Sequence, residues 1–156
     1  MKFEELNEKM ISAINKLYVN DIDLFSYQTS DPLICERTLS FRLGYYLQDI
    51  FRDYNVDCEY NRYFDCVKNI DEDNVYPDII IHKRKIDTDN LAWIEIKKES
   101  NVSNAESDKN RLKKVTSVDR YHYKYGVFIA LFKDKSKTYI EYYLSGENKG
   151  KYFPFV

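Results

Sequence analysis

Proline and glycine are scarce in this chain, three and four residues among 156, which sets it apart from disordered and fibrous sequences. Cysteine is limited to Cys35, Cys58 and Cys66. That number is odd, the paired short spacings of a zinc site are missing, and the two histidines do not complete one, so reduced thiols are expected. A net basic charge is also missing. The formal charge is −2, which argues against a protein that holds duplex nucleic acid by overall charge alone. No apolar run approaches membrane-spanning length, and an N-terminal stretch carrying Glu4, Glu5, Glu8 and Lys9 does not resemble a secretory leader. A cytoplasmic protein without a membrane partner is expected.

What is present fits one globular unit over residues 1–156. Hydrophobic residues make up 44% and charged residues 32%, enough to bury a core and cover it. Charge is arranged locally. Lys83, Arg84 and Lys85 form one basic cluster, Lys97, Lys98, Lys109, Arg111, Lys113 and Lys114 a broader one, and Asp71, Glu72 and Asp73 an acidic one. A dipolar surface follows.

Apolar residues Phe3, Leu6, Met10, Ile14 and Leu17 recur at helical spacing and predict a first helix over residues 3–18. Asp31 and Pro32 read as the cap and first turn of a second helix, with Leu39, Leu43, Leu47 and Ile50 down one face to about Asp53. Alternation at Val56, Cys58 and Tyr60 predicts a strand, residues 68–74 read as a polar turn, and Val75–His82 and Leu91–Lys98 read as a strand hairpin. Leu112, Val115 and Val118 predict a third helix from about Glu106 to Asp119, followed by strands at Tyr125–Phe132 and Thr138–Leu144. The chain is thus expected to be a mixed α/β unit without repeats or linkers.

Side chains alternate along a strand, so Glu95 and Lys97 share one face with Trp93, while Ile94 and Ile96 take the other. Asp78 lies in the preceding strand, between Pro77 and three isoleucines. Carboxylates set inside apolar strands are costly unless paired or gathered at a cleft. If these strands pair, Asp78 and Glu95 converge.

Pro77-Asp78, sixteen intervening residues, and then Glu95-Ile96-Lys97 resemble the PD-(D/E)xK signature of the restriction-endonuclease-like nucleases. This is the sole Pro-Asp dipeptide. The other Glu-x-Lys, Glu147 to Lys149, lies between two glycines in an expected turn. The resemblance implies an α/β fold with a mixed central sheet flanked by helices. It also implies Mg²⁺ or Mn²⁺ held by Asp78, Glu95 and the Ile96 carbonyl, and a catalytic Lys97 that positions or helps deprotonate the attacking water. Many such nucleases carry a further acid on a helix before the sheet. Glu36, on the inward stripe with Leu39, Leu43 and Leu47, matches that role, with pairing to Arg42 or a favourable helix N-terminus as the alternative.

Lys98, Lys109, Arg111 and Lys113 are expected to face nucleic acid, with DNA favoured. Asp108 and Arg111 border the apolar stripe of the third helix, within reach of the site from the side, but read first as an i, i+3 ion pair on the helix surface. Tyr121, His122, Tyr123 and Tyr125 read as core or subunit packing ahead of base stacking. A metal-dependent nuclease is the expected activity. The alternative is a binding subunit of a defence or mobile-element system on the same fold, its chemistry unused. Small size favours a homodimer or a larger assembly, with an interface at Tyr139, Tyr142 and Tyr143 or at Tyr152, Phe153 and Phe155.

Overall fold

The computed structural model describes residues 1–26, 34–117 and 121–156. Helix α1 (Phe3–Asn20) is followed by α2 (Glu36–Ile50) and strand β1 (Asn55–Cys58). Two short ribbons come next: β2 (Arg62–Tyr63) with β3 (Cys66–Val67), and β4 (Asn69–Ile70) with β5 (Asp73–Asn74). The chain continues through β6 (Ile79–His82), β7 (Ala92–Lys98), α3 (Glu106–Thr116), β8 (Tyr125–Leu131), β9 (Tyr139–Leu144) and β10 (Glu147–Tyr152).

One mixed sheet of six strands, in the order β1-β6-β7-β8-β9-β10, organises the chain. Its central pair, β7 and β8, is parallel, and every other pairing is antiparallel. A parallel pair needs a crossover, which α3 supplies. The alternation of each central strand feeds two cores. Ile79, Ile94, Ile96, Val127 and Ile129 pack under α1 and α2 with Leu6, Met10, Leu17, Leu43 and Leu47. On the other face Ile80, Trp93, Phe128 and Tyr143 pack under α3 with Leu112 and Val115. The central strands are therefore buried on both sides, and polar groups on the α3 face must find partners there.

Several expectations need correction. Residues 68–74 are not a plain turn, because they carry the second ribbon. The strand expected over Val75–His82 starts only at Ile79, leaving Asp78 just ahead of it. Glu147–Lys149 is not in a turn: the loop is Ser145-Gly146, and Glu147 begins the edge strand β10. The second helix begins at Glu36 with Cys35 at its cap, while Asp31 and Pro32, like Val118 and Asp119 of the third helix, lie outside the described residues. Tyr139, Tyr142 and Tyr143 are buried in this fold, so they do not offer the expected subunit interface. Tyr121, Tyr123 and Tyr125 are buried core as expected, while His122 is exposed. Cys35, Cys58 and Cys66 are free. Among the described residues, no helix is long and apolar enough to cross a membrane.

Candidate active site

The β6–β7 pairing runs Ile79 opposite Ile94 and Ile80 opposite Trp93, so the same register brings Asp78 abreast of Glu95. Regular pairing stops at Ile79, because Pro77 precedes it and cannot donate to the ladder. Asp78 fills the vacated position with its side chain: the Ile96 backbone N–H donates to Asp78 Oδ2 at 2.7 Å. One turn of strand further on, the Lys98 N–H donates to Glu36 Oε1 at 3.2 Å. The two carboxylates thus cap the strand edge that β6 leaves open. A residue's N–H and C=O emerge on the same edge of a strand, so the Ile96 carbonyl points towards Asp78.

Glu95 is buried, and its Oε1 accepts from Trp93 Nε1 and from an Arg111 guanidinium N–H, both at 2.8 Å. Arg111 also meets Asp108 Oδ1 at 3.3 Å. Lys97 Nζ lies 3.0 Å from Asp108 Oδ2 and 3.4 Å from Glu36 Oε2, and Asn101 donates to Glu36 at 2.8 Å. The residues expected to form the metal and catalytic site, Glu36, Asp78, Glu95, Ile96 and Lys97, thereby enter one connected cluster. Arg42, the alternative partner for Glu36, instead pairs with Asp21 at 2.9 Å.

Four carboxylates here (Glu36, Asp78, Glu95, Asp108) face two cations (Lys97, Arg111), an excess of two negative charges when all are ionised. Burial pushes Asp78 above the ordinary carboxylate range against the pull of the Ile96 N–H and Lys97. Burial likewise raises Glu95, helped by its neighbour Asp78. Arg111 pulls the other way, and is itself held protonated by Glu95 and Asp108 despite its burial. Burial prevails for Glu95, since a single guanidinium shared with Asp108 does not offset both desolvation and a second carboxylate. Lys97 is raised because Asp108, Glu36 and Asp78 outweigh its desolvation.

The expected nucleic-acid-facing cations fare unevenly. Arg111 is part of the acidic cluster and is more than a surface partner of Asp108, which is buried. Lys109 is held by buried Glu141 at 2.9 Å, Lys98 Nζ donates to the Ile34 carbonyl at 3.5 Å, and Lys113 donates to Asn110 at 3.3 Å. Sequence reasoning missed Asn101 and Glu141. Asn101 carries no pattern, whereas Glu141 stands within the apolar run Tyr139-Ile140-Glu141-Tyr142-Tyr143, the same signal that exposed Asp78.

Among the described residues, no three carboxylate, imidazole or thiol side chains gather as a ready metal cage. The donor set nonetheless suits a hard divalent cation such as Mg²⁺, which takes one or two carboxylates and keeps its remaining positions for water and phosphate oxygens. Asp78, just ahead of β6, and Glu95 and the Ile96 carbonyl, on β7, are oxygens of that kind. No protein-family model, curated protein or solved structure matches the chain.

Proposed function

We propose that the protein is a metal-dependent nuclease of the restriction-endonuclease-like type, hydrolysing phosphodiester bonds of nucleic acid, with DNA the favoured substrate. The observation that carries this reading is the placement of Asp78 abreast of Glu95, with Lys97 two residues further on the same face. Mg²⁺, or Mn²⁺ in its place, would be held by Asp78, Glu95 and the Ile96 carbonyl, with Glu36 closing the site from α2. When bound, such an ion polarises the phosphate and makes water a better nucleophile. Lys97, steadied between Glu36 and Asp108, remains protonated and directs its ammonium at negative charge developing on the phosphate oxygens. Trp93 and Arg111 fix the buried rotamer of Glu95.

The test is cleavage of a panel of DNA and RNA substrates with and without Mg²⁺ or Mn²⁺. Metal-dependent cutting that falls at least about a hundredfold in Asp78→Ala and in Lys97→Ala is expected. Cutting that survives either substitution would overturn the assignment.

A second reading draws on the internal pairing itself. Arg111 and Lys97 already occupy the acids, as they would in a nuclease fold that serves only as a nucleic-acid or protein-binding subunit of a defence or mobile-element system. Calorimetric titration with Mn²⁺ separates the two, since this reading expects no heat of binding.

A further inference from the structure

A second site lies on the α3 face of the sheet, at the opposite end of β6 from Asp78. It is a small hollow, open to solvent at its mouth, walled by Tyr60, Lys68, His82 and Tyr123. His82 and Asp78 lie four residues apart on one strand face, so the two sites are separated by about 13 Å.

Lys68 is buried, yet it forms no ion pair with any described residue. Its ammonium donates to the Tyr60 carbonyl at 3.0 Å and otherwise faces the rings of Tyr60, Trp93 and Tyr123 at 4.9, 5.8 and 5.9 Å. An ammonium has three donors, so two are left for a ligand. Asp57, the acid whose charge reaches Lys68, is already held by His82 and Arg84. Burial brings the lysine pKa down to about 8, which leaves it mostly protonated at neutral pH. The Tyr123 hydroxyl is also buried in the cavity wall, and it has no hydrogen-bond partner among the described residues. A buried hydroxyl left unsatisfied is rare and calls for an explanation.

At the mouth, Arg62 and Lys85 add two cations without a described carboxylate partner, while Lys83 meets Asp89 at 3.3 Å. Phe64 and Ile86 are large, about half exposed, and form an apolar lip beside Tyr63. Cationic depth with a hydroxyl donor suits a phosphate group. An aromatic lip suits a planar base attached to it, because stacking tolerates any base.

We propose that this cavity binds a nucleoside monophosphate unit, its phosphate between Lys68 and Tyr123 and its base against Tyr63 and Phe64. The unit is either a free nucleotide or the end of a strand. The proposal stands apart from the nuclease reading, since it requires neither Asp78 nor a metal.

Trp93 is the chain's sole tryptophan, and its ring lines the Lys68 cage, so its emission reports on occupancy. The experiment titrates the intact protein, without divalent metal, by calorimetry and Trp93 fluorescence. The probes are adenosine and thymidine monophosphates, the parent nucleosides, inorganic phosphate, O-phosphoserine, and oligonucleotides with and without a terminal phosphate. Saturable binding of the monophosphates is expected, with nucleosides, phosphate and phosphoserine at least tenfold weaker. Lys68→Met should weaken the monophosphates at least tenfold, and Tyr123→Phe severalfold; neither variant removes a contact with a described carboxylate. Tighter binding of the phosphorylated oligonucleotide than of the free nucleotide assigns the site to strand ends, and the reverse order assigns it to free nucleotides. No saturable binding to wild type, unchanged affinity in Lys68→Met, or equal binding of inorganic phosphate and monophosphate each overturns the proposal.

Discussion

A carboxylate can be buried beside a second carboxylate only where something compensates for the repulsion, and at Glu95 the compensation is Arg111 and the Trp93 indole. The compensation is incomplete, since Asp78 and Glu95 both stay above the ordinary carboxylate range. Raised folded-state values favour the fold while the groups are protonated, and that contribution is lost as pH climbs from about 4 through the raised values. Glu95→Gln keeps an oxygen for Trp93 and Arg111 but removes the charge. In the metal-free state it should therefore be more stable than wild type above neutrality, by about 1 kcal/mol, with the difference vanishing below about pH 4. Thermal melts across pH check this, and a variant less stable than wild type at pH 8 or so would show that the Arg111 pair outweighs the repulsion. Arg111→Met tests the same balance from the other side. Stripped of one of two cations, the metal-free protein should lose about 2–4 kcal/mol, and Mn²⁺ should raise its Tm by more than it raises that of wild type. An equal metal effect on both proteins would mean that no ion enters the space between these carboxylates.

At the scale of elements, α3 must lie close to β8 for Asp108 and Arg111 to reach across to β7, and Gly126 permits this. A Cβ there would meet Leu112 Cβ and Tyr143 Cβ at 3.1 Å and the Leu112 carbonyl at 3.2 Å. Backbone and packed core atoms yield little, so Gly126→Ala should cost about 1–3 kcal/mol and reduce any metal-dependent cleavage through displacement of α3. Denaturant melts paired with cleavage rates check it, and a neutral substitution would show that the helix has room to move. The helices and central strands were legible in the sequence because their apolar spacing matches what they bury: Leu6, Met10, Ile14 and Leu17 are all in the core. Asp78, Glu95 and Lys97 were legible for the opposite reason, as charges interrupting apolar strands. The ribbons were not. The β4–β5 loop places Asp71 and Glu72 at positive φ, 53° and 72°, without the Asn-Gly that ordinarily marks such a turn. Strand β10 was hidden because Glu147-Asn148-Lys149-Gly150-Lys151 is almost wholly exposed and so lacks alternation, although the Ser145-Gly146 loop before it was a usable signal. The tie from Arg111 to Glu95 was illegible, since it depends on the parallel β7–α3–β8 crossover, which no local pattern encodes.

For the whole molecule, the net charge of −2 becomes more telling once the cations are followed to their partners. Lys97 and Arg111 serve the acidic cluster, and Lys109 serves Glu141, whose carboxyl its ammonium and the Tyr143 hydroxyl hold below the ordinary range against burial. Of the basic residues near the site, Lys113 and Lys98 have the most easily surrendered contacts, a 3.3 Å bond to Asn110 and a 3.5 Å bond to a carbonyl. Among the described residues, a nucleic acid approaching this face therefore meets one or two cations free to neutralise phosphate. Each neutralised phosphate contributes about −0.9 to the slope of log K against log salt for duplex DNA, so the slope should be near −2. Fluorescence anisotropy with labelled duplex over a salt series measures it, with Asp78→Ala used to prevent cleavage. Lys113→Ala should flatten the slope by about 1 with the fold unchanged, whereas Lys109→Ala should act mainly through stability, by leaving buried Glu141 without its closest cation. A slope steeper than about −5 would show that the internal pairs open to nucleic acid, or that DNA lies on another face.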